Sequence, residues 1–220
     1  MLSSFDRRVL PDPVLGLVRA CQRRVSAHLA GGAALSGAHL AHRLSGDVDL
    51  FCHRAEDVRT LVRELPEVAS ECGLAIALVR DAGTFVRARV HLGGSAIELD
   101  LVHEAIPDIE LPPPPLEGVV VESFADLRAA KLTCVLSRSE PRDLVDLLFL
   151  DRAGFPPEGD LRLALRKDGG MDPGVLAWLL GQFPVRPLPM MLEPLTEAGL
   201  LAFRDDLRER FRRLAVPEDE

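Results

Sequence analysis

One stretch, residues 28–51, constrains the fold of this chain more than any other part of it. It contains the diglycine Gly31-Gly32, then an alanine-rich run, then Asp47 and Asp49 alternating with apolar residues. Alternation places both carboxylates on one face of a strand, about 7 Å apart. Carboxylates at that spacing repel each other unless a cation compensates them, and a divalent metal ion is a common solution.

The diglycine adds a second component to this pattern, a binding site for phosphate. Glycines before a helix bring backbone N–H groups close to an anion at the helix N-terminus, where the dipole also favours negative charge. Alone, a diglycine often marks only a tight turn, and a D-x-D pair is often two solvated carboxylates. The order strand, diglycine, helix, D-x-D strand is much more specific. It predicts a site for a metal-bound nucleoside triphosphate.

This order resembles the core signature of the polymerase-β-like nucleotidyltransferases, GG or GS followed by D-x-D or D-x-E. The wider string is similar to the AbiEii/AbiGii-type toxin nucleotidyltransferases, which typically carry GGTAL and then HRxSxDxD; here HRLS occupies residues 42–45. Ala33 stands where that family has threonine, so one hydroxyl contact to phosphate is missing. The resemblance covers residues 26–152. It implies a nucleotide site formed by Gly31, Gly32, Arg43 and Ser45.

The order of elements predicts an α+β protein that begins like an α/β protein. We expect a first strand at 26–30, a helix at 33–42, the D-x-D strand and an amphipathic helix at 55–72. Further strands are expected at residues 74–80, 84–92 and 95–102. Together they predict a mixed antiparallel sheet flanked by helices, followed by a C-terminal helical bundle, and the resemblance implies that the sheet forms a nucleotidyltransferase core.

The last two strands flank Gly93-Gly94, a two-residue loop suited to an antiparallel hairpin. The resulting register pairs Arg87 with Asp100 and Arg89 with Glu98 on one charged face. Cross-strand ion pairs of this kind contribute about 0.2–1 kcal/mol each and often serve the sheet alone. A two-metal site, however, needs a third acid on a nearby strand. The family resemblance places that acid at Asp100, with Glu98 on the same face as second choice.

A stiff segment, Pro112 to Pro115, cannot form helix or central strand. It predicts a boundary between a first domain, residues 1–111, and a mostly helical domain, residues 112–220. The resemblance implies that the first is the nucleotidyltransferase core domain and that the second completes the active-site cleft. In the second domain, helices are expected at 124–138, 142–152 and 195–214.

Lysine usage singles out Lys131. Only two of the 26 lysine and arginine residues are lysines, and Lys131 lies in an apolar helix, which favours a site for a compact ammonium group. A lysine on a helix side can also extend to solvent. The run RDLVDL follows at residues 142–147. The lysine helix and this run together resemble the downstream motif of the AbiEii-type family. The resemblance implies that Lys131 neutralises triphosphate charge, while Asp143 and Asp146, on one helix face, support the site.

Charge and cysteine content exclude some classes of protein. The net charge is -8 and the pI about 5.3, so no global basic field favours broad nucleic-acid binding. The four cysteines form no C-x-x-C pair and are expected to be reduced thiols. We recognise no signal peptide and no apolar run of membrane-spanning length. The sequence therefore predicts a cytoplasmic protein without a membrane partner.

These observations predict a metal-dependent nucleotidyltransferase that moves a nucleoside monophosphate from a nucleoside triphosphate to an acceptor hydroxyl. Asp47 and Asp49 would hold Mg²⁺ (or Mn²⁺), and Asp100 would complete a second metal site and help deprotonate the acceptor. Arg87 would support the substrate phosphates. Resemblance to the toxin family implies the tRNA acceptor end as acceptor and a cognate antitoxin as protein partner, with the base of the nucleotide left open.

Three alternatives stay open. The same fold could modify a small molecule or a protein, as aminoglycoside nucleotidyltransferase-like or AMPylating enzymes do. A D-x-D glycosyltransferase using a nucleotide sugar is a second class, although the chain is short for that fold. A non-catalytic module that binds nucleotide is the third, and the complete set Asp47, Asp49 and Asp100 argues against it.

Overall fold

A computed structural model of the chain describes residues 3–216. Its first part contains, in chain order, α1 (Asp12–Arg24), β1 (His28–Ala30), α2 (Gly31–Leu35), β2 (Asp47–Cys52), α3 (Ala55–Glu71), β3 (Ala75–Asp81), β4 (Phe85–Leu92) and β5 (Ser95–His103). Its second part is helical and contains α4 (Phe124–Ser137), α5 (Pro141–Arg152), α6 (Leu161–Lys167), α7 (Pro173–Leu180) and α8 (Glu197–Ala215), with a 3₁₀ turn at Pro157–Asp160. The predicted α+β class is confirmed.

The five strands form one sheet in the order β1-β2-β5-β4-β3. β2 and β5 are parallel, whereas the other three neighbouring pairs are antiparallel. The predicted mixed sheet is therefore confirmed. Its parallel pair is also the pair of strands that carries the candidate carboxylates.

The hairpin of β4 and β5 has the predicted register. Arg87 lies opposite Asp100, and Arg89 lies opposite Glu98. Gly93 in the connecting turn has a φ of +64°, which the primed turns of two-residue hairpins require. Two local features, the alternation of residue types and the length of the loop, were sufficient to predict this part of the sheet.

The helix after the diglycine differs from the predicted helix at residues 33–42. It begins at Gly31 and widens into a π-helix over Ser36–Leu40, which ends at Ala41 in the left-handed region. Close packing explains Gly37 inside it, because a Cβ atom there would lie 2.5 Å from Cδ1 of Leu10. The alanine-rich pattern indicates a helix but contains no signal for the change of helical pitch.

Burial alternates along β2. Val48, Leu50 and Cys52 are buried, while Asp47 and Asp49 at the alternate positions are partly exposed. Helix α3 packs against strands of the same sheet, including β2 and β5, and contributes the buried side chains of Val58, Leu61 and Leu65 to the core. One face of β2 is thereby fixed in the core, so the carboxylates must occupy the other face.

The first compact unit ends at Ser123 and the second begins at Phe124, whereas the sequence predicted a boundary at residue 112. Segment 116–122 still bonds to the sheet of the first unit: Leu29 N–H donates to Val120 O, and Glu122 N–H donates to Leu29 O, both at 2.9 Å. The prolines end regular structure, but these backbone hydrogen bonds keep the following residues in the first unit. Within residues 3–216, no helix combines the length and the apolar character needed to cross a membrane.

Candidate functional site

Four carboxylates share one face of the parallel strand pair. In the register of β2 and β5, Asp47 lies opposite Glu98, and Asp49 lies opposite Asp100. Neighbouring strands are about 4.8 Å apart, and register partners point to the same face. The structure therefore brings together the predicted acids of the two strands, with Asp49 and Asp100 as direct neighbours.

Gly31 is required by the position of Asp49. Its φ is +66°, and a Cβ atom there would lie 1.9 Å from Oδ2 of Asp49. No other residue type could occupy this position while the carboxylate stays where it is. Gly31 of the diglycine thus leaves space for the carboxylate of Asp49 on the next strand, and it also allows the backbone turn before α2.

Gly32, Arg43 and Ser45 lie around the same turn. A Cβ atom at Gly32 would lie 2.6 Å from Nη2 of Arg43 and 3.3 Å from Oγ of Ser45. Ser45 Oγ donates to Asp47 Oδ1 at 3.0 Å. The guanidinium of Arg43, which is only 2% exposed, also donates to Leu44 O at 2.9 Å. Four of the five residues predicted to bind the nucleotide, Gly31, Gly32, Arg43 and Ser45, are therefore beside the acids of β2.

Ser36 was not among the predicted site residues, although it orders this region. Its buried hydroxyl donates to Arg43 O at 2.6 Å, which ties the helix after the diglycine to the segment before β2. A single serine in an alanine-rich helix carries no sequence signal for such a contact.

Arg87 holds Asp100 through two parallel hydrogen bonds. Nε donates to Oδ1 at 2.7 Å, and Nη2 donates to Oδ2 at 2.6 Å. The Asp100 side chain is 4% exposed, but that of Arg87 is 39% exposed. Hydrogen bonding to Asp100 raises the pKa of Arg87, although partial burial opposes this shift. The arginine therefore keeps its charge and compensates the most buried carboxylate of the site.

The neighbouring pair repeats this arrangement closer to solvent. Arg89 Nε donates to Glu98 Oε1 at 2.8 Å. The side chains are more exposed than those of the first pair, at 50% for Arg89 and 23% for Glu98. Two arginines on β4 thus face two carboxylates on β5, and the inner pair is more buried than the outer one.

Lys131 belongs to the second unit, where it is buried among carboxylates. Its Nζ lies 2.9 Å from Asp146 Oδ2 and 3.3 Å from Asp143 Oδ1, and its side chain is 4% exposed. Arg138 adds two hydrogen bonds to Asp143, at 2.8 and 2.9 Å. The reading of Lys131 as a side chain extending to solvent is therefore wrong. Asp143 and Asp146 do share the predicted helix face.

The second lysine of the chain has a similar environment. Lys167 Nζ lies 2.6 Å from Asp126 Oδ1, with both side chains almost fully buried. Both lysines thus occupy buried positions beside carboxylates. The ammonium group of lysine is more compact than the planar guanidinium of arginine, the basic group that predominates in this chain. A contact between Lys131 and the triphosphate stays a prediction. The observed ion pairs of Lys131 with Asp143 and Asp146 join α4 to α5 and stabilise this part of the fold.

Residues 18–219 match the protein-family model described as nucleotidyl transferase AbiEii toxin, type IV TA system. A solved structure of a candidate nucleotidyltransferase from Helicobacter pylori is similar, with a TM-score of 0.61, 20% identity, and coverage of 91% of this chain and 92% of that chain. The structure of JHP933 from the same organism has a TM-score of 0.59, 18% identity and coverage of 94% of both chains. No curated protein sequence matches this chain. At these identities, the structural similarity supports the fold alone.

Proposed function

Because the chain belongs to the nucleotidyl transferase AbiEii toxin family of type IV toxin–antitoxin systems, we propose that it transfers a nucleoside monophosphate to an acceptor hydroxyl in a reaction that requires Mg²⁺ or Mn²⁺. One observation carries the proposal. The carboxylates of Asp49 and Asp100 are neighbours on parallel strands, and Gly31 leaves room for Asp49 at the start of the helix that follows the diglycine.

The acids present fit a hard divalent cation. Oxygen ligands are those that Mg²⁺ prefers, and Asp47 and Asp49 present carboxylates from alternate positions of one strand. Gly31 provides space that a Cβ atom would fill. Asp47 and Asp49 would hold the first ion, and Asp100 would complete the set for a second. When bound, such ions stabilise the charge that develops on the transferring phosphoryl group and its leaving pyrophosphate.

The residues of the chain perform the remaining steps of the proposed reaction. Backbone N–H groups of Gly31 and Gly32 bind the β- and γ-phosphates, with the buried guanidinium of Arg43 behind them. Asp100 accepts the proton of the acceptor hydroxyl after the hydrogen bonds from Arg87 to Asp100 are broken. Arg87 is the more exposed partner of that pair, so it is free to turn toward phosphate. Ala33 supplies no hydroxyl, and backbone groups carry the contact there.

The acceptor that we propose is the end of a tRNA, with a small molecule or a protein hydroxyl as the alternative. Membership of a type IV toxin–antitoxin family also implies an antitoxin partner. The net charge of -8 limits any RNA contact to local arginine patches, and binding through such a patch should weaken as the salt concentration rises.

Label transfer tests this function. Protein with Mg²⁺ and each of four α-labelled nucleoside triphosphates is offered tRNA, total cellular protein, or an aminoglycoside, and labelled products are separated. Labelled tRNA supports the proposal, and label in another acceptor supports the alternative. Metal-dependent triphosphate binding without any transfer would favour the non-catalytic module.

Replacing Arg87 by methionine is expected to raise the affinity for Mn²⁺ by about tenfold, since a competing positive charge beside Asp100 is removed. The same change should lower the melting temperature of the metal-free protein, because a buried carboxylate loses its partner. Titration calorimetry with Mn²⁺ and thermal melts measure the two effects. Arg89→Met is the matched control, since it frees Glu98 instead. A larger gain in that control would identify Glu98, rather than Asp100, as the third acid.

Replacing Lys131 by arginine is expected to reduce the free energy of unfolding by about 1–3 kcal/mol, because a wider group must enter a buried space. Lys167→Arg enlarges the other buried lysine and should cost a similar amount. If Lys131 also contacts the triphosphate, only the first variant should show a KM for the triphosphate raised by about tenfold. Equal KM values for the two variants, measured on folded protein, would leave Lys131 as a brace alone.

A further inference from the structure

Three residues outside the carboxylate site converge at the other end of β2. His28 lies on β1, His53 directly follows β2, and Asp108 lies in the segment after β5. One ligand atom from each lies within 4.8 Å of the others. His53 is four residues beyond Asp49, or about 13 Å along an extended chain. The cluster is therefore separate from the carboxylates of Asp47 and Asp49.

Contacts within the cluster are close. His53 Nε2 lies 3.0 Å from Asp108 Oδ1, and the ring centroids of His28 and His53 are 5.3 Å apart. His28 is the register partner of Phe51, so it lies on the same sheet face as Asp49. Each of the three side chains comes from a different segment of the chain. No sequence motif with ligand spacing marks them, which is why they were not among the predicted site residues.

The orientation of His53 is set by a backbone carbonyl. Its Nδ1 lies 3.0 Å from Glu104 O, and a carbonyl oxygen only accepts hydrogen bonds, so Nδ1 must carry the proton. Nε2 faces Asp108 Oδ1 at 3.0 Å, so it donates a second proton to that oxygen when no metal is bound, and it presents its lone pair when an ion lies between them. A ligating histidine characteristically donates its other N–H to a carbonyl or carboxylate in this way.

The chemistry of the three ligands separates them from the first site. Two imidazoles and one carboxylate suit Zn²⁺ and neighbouring transition metals, whereas Mg²⁺ prefers oxygen ligands alone. Around Zn²⁺, ligand atoms at about 2.1 Å lie roughly 3.3 Å from each other. The three ligand atoms lie within 4.8 Å of one another, so they must approach by at most about 1.5 Å to bind one ion. The side chain of His53 is 39% exposed, which gives an ion a path from solvent.

We propose that His28, His53 and Asp108 bind one transition-metal ion of the Zn²⁺ class, which joins the ends of β1, β2 and β5. These strands carry or precede Gly31, the two acids of β2, and Asp100. The ion would act as a staple just beyond the C-terminal ends of β2 and β5, the two strands that carry the carboxylates. When no metal is bound, a proton on His53 Nε2 joins His53 to Asp108 in place of the ion. The proposal rests on these three side chains and not on the proposed enzymatic reaction.

Metal content and Co²⁺ spectroscopy of the full chain test the site. Chelator-treated protein is dialysed against Zn²⁺ or Co²⁺ in the presence of excess Mg²⁺, and bound metal is measured by mass spectrometry. We expect one equivalent of Zn²⁺ per chain, a visible Co²⁺ absorption band, and a higher melting temperature with Zn²⁺. His53→Ala and Asp108→Asn should each weaken Zn²⁺ binding on the order of a hundredfold, since even outer partners contribute 10–100-fold.

Two controls make the result specific. His91→Ala removes an exposed imidazole from β4 and should keep the full equivalent of Zn²⁺. Asp49→Asn removes a carboxylate of the first site and should keep it as well. If His53→Ala does not fold, Asp108→Asn decides, because it retains both imidazoles. Absence of bound Zn²⁺ in the unaltered chain, or its loss in Asp49→Asn but not in Asp108→Asn, would overturn the proposal.

Discussion

Replacing Asp49 by asparagine is expected to lower nucleotidyl transfer by about a thousandfold or more, equivalent to roughly 4 kcal/mol of activation free energy. Asparagine has the same shape, so it still fits against Gly31, where the acid now lies. Asparagine lacks the negative charge of aspartate, and its amide oxygen is a weaker ligand for the metal ions that residue 49 and Asp100 are proposed to bind together. The fold should be retained, with a change in the free energy of unfolding within about 1 kcal/mol.

The control for this variant is Asp81→Asn, which removes the same charge from β3 of the same sheet. Asp81 pairs with Arg59 at 2.9 Å, on a strand at the far edge from β1. Its transfer activity should be unchanged. Calorimetry completes the test: the unaltered chain should bind nucleoside triphosphate much more tightly with Mg²⁺ than without, and Asp49→Asn should lose that difference. Equal affinity in the unaltered chain with and without metal would exclude the proposed metal role.

The predictions that were confirmed are those that depend on local pattern. Alternation and a two-residue glycine loop determine which residues of β4 and β5 face each other, so the pairing of Arg87 with Asp100 could be predicted. The D-x-D strand and the amphipathic helix after it follow from periodicity in the same way. The order of the signature also predicted the family correctly, although the match extends beyond residues 26–152, to 18–219.

The arrangement of strands could not be predicted from such patterns. Nothing in the sequence of β2 or β5 states that they are parallel neighbours, because that choice depends on how the connecting hairpin and helix pack on the sheet. It is this choice that places Asp49 beside Asp100. The boundary at Ser123 has the same origin, since hydrogen bonds of Leu29 to a distant segment determine it.

Burial separates the two roles considered for Lys131. The rarity of lysine correctly marked it as unusual, but rarity does not identify the partner of an ammonium group. The carboxylates beside it, Asp143 and Asp146, lie one helix further along the chain. A buried charge needs such partners whatever its function, because an unpaired one costs several kcal/mol. Lysine in this chain therefore first indicates a buried ion pair, and a phosphate contact needs separate evidence.

Replacing Gly31 by alanine is expected to lower transfer by at least about a hundredfold, or roughly 2.7 kcal/mol of activation free energy. Two effects combine at this position. Alanine in the left-handed region costs about 1–2 kcal/mol of stability. Its Cβ atom would also lie 1.9 Å from Oδ2 of Asp49, so the carboxylate must leave its position beside Asp100. Misplacement of a positioned ligand by about 1 Å can by itself cost a hundredfold in rate.

Gly73→Ala separates these two effects, because Gly73 has almost the same φ, +68°, and no atom within 4 Å of its Cβ position. It should show the backbone cost in thermal melts while transfer and Mn²⁺ affinity stay unchanged. Gly31→Ala should lose Mn²⁺ affinity as well as transfer, and any stability loss beyond that of Gly73→Ala measures the displacement of Asp49. If both variants transferred nucleotide equally well, the close approach of Gly31 to Asp49 would have no catalytic role. The requirement for glycine would then lie in the backbone turn alone, and the metal site would have to be sought without Asp49 in its observed position.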